Sequence, residues 1–338
     1  VTGSEDRFIG PVTDDAGALF LAVNRNKRSV GLDPLTDEGT EVVRRLVQSA
    51  DVLVANLPTA GLERMGLDWP SVSTLNPRLV LTTVNAMGEG GPWSDRVGFD
   101  GIGQAMSGST HLSGRPGDPI KGFVPWVDFG TASLAAFATM TALFSRTRTG
   151  RGTHVTGSLL QTALSFSNYT HVEEALLDVD REATANRHPL AGPADIVATS
   201  DGYVIVQCVG DPLFRRIASL IDRVDLLDDP RFSNDERRGH NGEELSRILE
   251  AWTTDRTTEE VLDACAAASV PAGPVQSPRQ VLRNDHIQHL GFLQPVAYPG
   301  LSAPAPLAKS PIEVTGTDPS VALRPPTIGE HTVEVLAE

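Results

Sequence analysis

Asp128 stands in the segment FVPWVDFGTASLAAF, just ahead of a long run of small and apolar residues that a helix would bury. Backbone N–H groups and the dipole at a helix start hold a carboxylate ionised and pointed outward. Beside a thioester, such a carboxylate can attack the carbonyl carbon and carry the acyl group as a covalent intermediate. Its neighbours Gly130, Thr131 and Ala132 are small enough to let a bulky substrate approach. The plain alternative is a helix cap with no chemistry, and spacing alone does not separate the two.

A second group of residues is basic: Lys27 and Arg28 in the knot NRNKR, and Arg64. The 338-residue chain carries a formal net charge of −15, so an anionic ligand must find a local cationic pocket; these residues could supply one, and the plain alternative is a solvated basic surface. The same charge argues against nucleic acid and anionic membrane surfaces as partners. With 40% hydrophobic and 21% charged residues the composition is that of a soluble globular protein. Two cysteines, Cys208 and Cys265, make no disulfide framework, no Cys/His pairs have zinc-ligand spacing, and no metal is expected. A reducing cytoplasm is the expected home. No uninterrupted apolar run approaches the ~18 residues of a membrane span, no signal peptide is legible, and the chain begins at Val1. The eight histidines form no triad with Ser and Asp, and G-x-S-x-G does not occur; His111, His154, His171 and His331 read as structural.

The elements that must position these residues follow from periodicity. SVGLD (29–33) reads as a short strand, and Thr36-Asp37-Glu38 opens a helix with Val42, Val43, Leu46 and Val47 on one face. Residues 51–56 and 79–85 read as near-continuous apolar strands separated by two short helices, the mark of a buried parallel sheet in an α/β domain with Rossmann-like winding. Ligands gather at the carboxyl ends of such strands, where Asn56 and Asn85 stand. G-x-G-x-x-G is absent, which disfavours a nicotinamide or flavin enzyme. The helix after Asp128 stops at TGRG (149–152), a long helix is expected over 159–177, and residues 181–200 read as a linker. A smaller α+β unit follows. Its strand is 202–209, Asp211 is the expected N-cap of a helix with Pro212 at its first position, Thr257 and Glu260 have capping-box spacing, and VPAGPV (270–275) closes it.

The ordered set NRNKRSVGLD (24–33), ADVLVANL (50–57), GLERMGLDW (61–69), LNPRLV (75–80), GFDGIGQAMSG (98–108), VDFGTAS (127–133), TGRG, DPRF (229–232), VPAGPV and PPTIGEHTVEVL (325–336) resembles the family III CoA-transferases, a superfamily that includes formyl-CoA and carnitine CoA-transferases and α-methylacyl-CoA racemases. The resemblance runs from about Asn24 to the C-terminus. It implies a large Rossmann-like CoA-binding domain (1–190), a small α+β domain (191–280) and a C-terminal return to the large domain (281–338), in a homodimer of interlocked rings. It also implies Asp128 as nucleophile, coenzyme A as acyl-CoA substrate with a carboxylic acid as its partner, and CoA contacts from Asn56, Leu57 and Arg64, with Lys27 and Arg28 close by. The reaction it implies runs through an aspartyl anhydride and an aspartyl-CoA thioester. Two family features have no counterpart here: the opening strand and loop that hold part of the adenosine-diphosphate end of CoA, and the glycine-rich loop of formyl-CoA transferase. Oxalate and formate are accordingly poor substrate guesses.

Two other readings compete. A racemase needs a base on each face of the α-carbon, and the racemases supply a histidine in a GHD segment; here that segment is Gly98-Phe99-Asp100, and phenylalanine cannot carry a proton. A non-catalytic CoA-binding subunit of a heteromeric transferase is the second. Phe99, Trp126 and Phe129 leave room for an apolar acyl group, while donor and acceptor stay open at this level.

Overall fold

The computed structural model describes residues 3–338. Contacts divide the chain into two compact units, one of residues 44–275 and one combining residues 3–43 with 276–338.

In the first unit, β1 (Val52–Ala55), β2 (Val80–Asn85) and β3 (His154–Ser158) form a parallel sheet in the order β1-β2-β3, with Val52 opposite Val80 and Leu81 opposite His154. The connection from β1 to β2 runs through α1 (Thr59–Arg64) and α2 (Trp69–Leu75), the latter capped by Asp68. Leu79, Val80 and Leu81 are fully buried, as expected of a central strand. The expectation of a sheet buried throughout fails at β1. This is an edge strand, and Val54 is 67% exposed.

Helix α3 (Asp100–Met106) precedes the long α4 (Trp126–Thr149), whose Val127, Thr131, Thr139 and Ala142 are buried at helical spacing. Gly150, at φ 71°, takes the left-handed conformation that ends the helix, which explains the TGRG stop. Helix α4 runs antiparallel to the strands. Thr131 lies against Gly157 at the end of β3, Thr139 shares a 2.6 Å hydrogen bond with Thr82 in β2, and Arg146 reaches the carbonyl of Arg78 ahead of β2. The first turn of α4 therefore stands at the carboxyl ends of β2 and β3.

Contrary to the sequence expectation, α4 is long and apolar enough to cross a membrane by length and composition. Its interspersed hydroxyls hid this, because Thr131, Ser133, Thr139 and Thr141 each donate to the carbonyl four residues back and carry little polar cost. One face is tied to β2 and β3, members of an open-edged sheet of a kind not found in hydrocarbon. The other face presents Phe129, Phe137, Met140 and Phe144 to the surface.

The helix expected over 159–177 is broken into α5 (Leu159–Phe166) and α6 (Asn168–Leu177). The break falls at Ser167, whose hydroxyl bonds to the carbonyl of Ala163 and also reaches that of Ser107. The segment 181–200 is a connection only as far as Pro193, since Ala194–Ala198 forms β4. Strands β4, β5 (Tyr203–Gln207) and β6 (Ala272–Pro274) make an antiparallel sheet over a core of Val204, Val206, Phe214, Phe232, Leu245 and Val261. The helix Asp211–Leu220 starts one residue earlier than expected, with Gly210 as its N-cap. Arg238, 1% exposed, binds the Asp211 and Asp235 carboxylates and the Phe232 carbonyl in this layer. The Thr257/Glu260 capping box is present. Burial pushes the Cys208 thiol up to about 12, and both cysteines are free.

In the second unit an antiparallel pair, Leu293–Val296 and Ala305–Ala308, packs with the helix Ala18–Val23 around Phe20, Leu21, Tyr298 and Leu307. Residues 29–33 form no strand. Their backbone groups pair instead with the C-terminal cap loop: Ser29 N–H donates to His331 Nδ1, Gly31 N–H donates to Thr332 Oγ1, and Ser29 C=O accepts from His331 N–H. The helix Thr332–Ala337 follows that loop.

Candidate active site

Asp128 lies within the first turn of α4, two residues inside it and not just ahead of it as the sequence reading placed it, so the plain alternative of a helix cap fails. The residue at the cap, Pro125, provides no side-chain bond. The cap comes instead from α3. One carboxylate oxygen of Asp100 accepts the N–H groups of Val127 at 2.8 Å and Asp128 at 3.2 Å, and the other accepts a short bond from Gln104 Nε2. Gln104 Oε1 in turn accepts the N–H of Gly122 at 2.9 Å, tying the loop before α4 into the same set. Asp100 and Gln104 are 6% and 1% exposed, whereas the Asp128 side chain opens to solvent.

This arrangement reverses the expected electrostatics of Asp128. Its carboxyl is pushed above the ordinary 3.8, first because neighbouring protein covers part of it and removes some of its water, and second because the Asp100 carboxylate is nearby. The helix-start N–H groups that were expected to keep Asp128 ionised go to Asp100. The resulting carboxylate is more basic than a solvated aspartate, and a more basic carboxylate is a stronger nucleophile.

Glycine and threonine next to Asp128 face inward and not toward a substrate. A Cβ on Gly130 would fall 2.6 Å from the ring of Phe166 on α5, and Thr131 is buried. Trp126 stacks on Phe166 with centroids 6.1 Å apart, which anchors the start of α4. Phe99 and Phe129 are exposed, while Trp126 is half-buried.

Asn56 and Leu57 follow β1 directly and are exposed at its carboxyl end, with Arg64 at the end of α1. Asn56 and Leu57 stand at the carboxyl ends of the same sheet as Asn85, and Arg64 lies in the same unit as Asp128. Lys27 and Arg28 belong to the second unit. There they line a cavity of about 250 Å³ with Arg7, Phe20, Asn24 and Ile328. Arg28 is engaged by Glu334 at 2.9 Å and Glu338 at 2.7 Å, and Lys27 donates to Asn24 Oδ1. Three of the four histidines singled out earlier make structural bonds: His171 to the carbonyl of Ser107, His331 to the N–H of Ser29, and His154 to Thr83 while stacked on Trp69.

Asp100 and Gln104 are the site residues that sequence reasoning missed. The signal was their i, i+4 spacing in FDGIGQ, which places both on one face of a helix.

The model of CoA-transferase family III matches residues 1–332. The chain belongs to that family. It is a CoA-transferase, moving CoA between an acyl-CoA and a carboxylic acid. Its similarity to the succinate–glutarate CoA-transferase of Agrobacterium fabrum is 31% identity, covering 96% of this chain and 81% of that protein. To the succinyl-CoA–L-malate CoA-transferase beta subunit of Chloroflexus aurantiacus it is 30% identical, covering 98% and 83%. Among solved structures, a CAIB/BAIF family protein from Brucella suis superposes with a TM-score of 0.86 at 31% identity, over 99% of this chain and 89% of that one. The mixed α/β fold is thus a shared family architecture.

Proposed function

We propose that the chain transfers CoA from a dicarboxylic acyl-CoA such as succinyl-CoA to a dicarboxylic acid acceptor, with Asp128 as the nucleophile. The placement of Asp128 carries the mechanism. It is an accessible carboxylate with a raised pKa, in the first turn of α4 at the carboxyl ends of a parallel sheet. The substrate class rests on what the relatives from Agrobacterium and Chloroflexus are named for.

The steps balance without any outside reagent. An Asp128 oxygen bonds to the donor carbonyl carbon, the C–S bond breaks, and CoA leaves as thiolate. The thiolate attacks Cγ of Asp128 and releases the donor as its carboxylate, leaving an aspartyl-CoA thioester. The acceptor carboxylate attacks the same carbon and expels CoA thiolate, which then takes the acceptor acyl group from the new anhydride and restores Asp128. Within the first unit, Asn56, Leu57 and Arg64 are proposed to contact CoA; within the second, Lys27 and Arg28 are proposed as cations able to meet phosphate.

The finer architecture is part of the same proposal: Rossmann-like winding of the parallel sheet and an interlocked homodimer. The apolar outer face of α4, with Tyr169 and Leu176 exposed on α6, supports protein cover over these helices. A heteromeric assembly is the second reading, because one relative is named as a beta subunit. Incubation with succinyl-CoA and hydroxylamine, followed by mass spectrometry, tests the nucleophile. A hydroxamate on Asp128 is expected, and turnover without one refutes the role. Size-exclusion chromatography with light scattering separates the assemblies.

A further inference from the structure

We infer that Asp100 is a positioning residue for catalysis: from α3 it grips the first turn of α4 by two backbone N–H groups and so sets where the Asp128 carboxylate stands. The inference rests on Asp128 being the nucleophile. One of the two gripped N–H groups is that of Asp128 itself, at 3.2 Å, and the other belongs to the residue before it. Four N–H groups at a helix start have no partner within the helix, and here the preceding proline supplies no capping side chain. A capping oxygen is ordinarily contributed by the adjoining residue. Here it comes from a position 28 residues upstream of Asp128, on a separate helix.

The grip is itself fixed. Asp100 is nearly sealed from water, so its orientation is set by protein partners. Its second oxygen is bound by Gln104, whose carbonyl oxygen holds the N–H of Gly122. α3 also packs closely on α4, since a Cβ on Gly103 would fall 3.0 Å from Val127 Cγ1. One carboxylate thus joins α3, the incoming loop and the first turn of α4, and the reacting oxygens are attached to that turn by a single short side chain. Carboxylate attack on a thioester needs the reacting atoms in line within a narrow range, and a misplacement of about 1 Å costs on the order of 10²-fold in rate.

The test compares Asp100→Ala, Asp100→Asn and Asp128→Asn in the full chain. It reads kcat and KM for succinyl-CoA, single-turnover acylation, and hydroxylamine labelling. Asp100→Ala is expected to lower kcat and the acylation rate together by ~100-fold with KM within about threefold, because binding contacts elsewhere are untouched. Asp100→Asn keeps one accepting oxygen and is expected to recover part of that loss, leaving kcat down ~10-fold. Parent-like kcat in Asp100→Ala, or a loss confined to KM, overturns the inference. Should Asp100→Ala not fold, Asp100→Asn decides by the same criteria. Asp128→Asn keeps the two readings apart. If it abolishes labelling while Asp100→Ala turns over normally, the positioning role alone fails. If Asp128→Asn still turns over, the nucleophile assignment fails and takes the inference with it.

Discussion

Gly130→Ala probes how tightly catalysis depends on the start of α4. The added Cβ would lie 2.6 Å from Phe166 Cε2 and 3.1 Å from Cζ. Carbon atoms pack at about 3.5–4.0 Å, so the ring must retreat by roughly 1 Å. Phe166 is half exposed and can swing out, which breaks its stack on Trp126 at a cost of about 1 kcal/mol. Alanine in place of glycine inside a helix returns about 1 kcal/mol. The two nearly cancel, and Tm is expected to change by no more than about 4 °C. Activity does not enjoy that cancellation. Trp126, two residues before Asp128, loses its anchor, and a shift of about 1 Å at the carboxylate lowers kcat by ~10- to 100-fold. Circular-dichroism melting with steady-state CoA transfer measures both quantities. If kcat stays within about threefold of the parent, the ring contact does not set the nucleophile's position. If Tm collapses along with kcat, the effect is loss of fold and the reasoning is wrong.

Further outcomes follow from the same geometry. Because the Asp128 carboxyl titrates above 3.8, the acid limb of kcat should lie above that of an ordinary aspartate, and Asp100→Asn should move it to lower pH by removing the neighbouring charge. The folded chain holds that proton more tightly than the unfolded chain. Asp128 therefore costs stability at neutral pH, and the cost fades as pH falls through the folded value toward 3.8; Asp128→Asn should raise Tm at pH 7 and lose this advantage in acid. Arg64→Ala should raise KM for acyl-CoA by about tenfold with kcat retained, the loss of one charge-assisted contact. Glu334→Gln with Glu338→Gln releases Arg28, and a lower KM at low ionic strength is expected if its guanidinium then meets phosphate. Arg238→Leu removes a buried guanidinium but leaves Asp211 in solvent and Asp235 with the Gly210 N–H, and should cost about 2 kcal/mol, read as a Tm drop of roughly 4–8 °C.

Local signals in the sequence were reliable where neighbours in the chain do the work. The apolar strands at 52–55 and 80–85, the Thr257/Glu260 box and the glycine stop at Gly150 all depend on residues a few positions apart. Non-local partners defeated the reading elsewhere. Residues 29–33 have a strand's composition, yet their hydrogen-bond partners come from about 300 positions downstream. The helix break falls at Ser167, whose hydroxyl also reaches the Ser107 carbonyl, 60 positions upstream. Asp128 was visible as a carboxylate at a helix start, but the oxygen that caps that start comes from Asp100. Its titration, raised first by desolvation and then by the Asp100 charge, was therefore misread in sign.

Helix α4 also works as a lever. Asp128 and Arg146 are 18 positions apart, about 27 Å along the axis, so one degree of tilt displaces the tip by about half an ångström. At the opposite rim the guanidinium of Arg146 is bolted to the carbonyl of Arg78 and the carboxylate of Asp51. That distant clamp fixes the far end of the rod as the Asp100 carboxylate fixes the near one, so tilting the helix means breaking contacts at a rim.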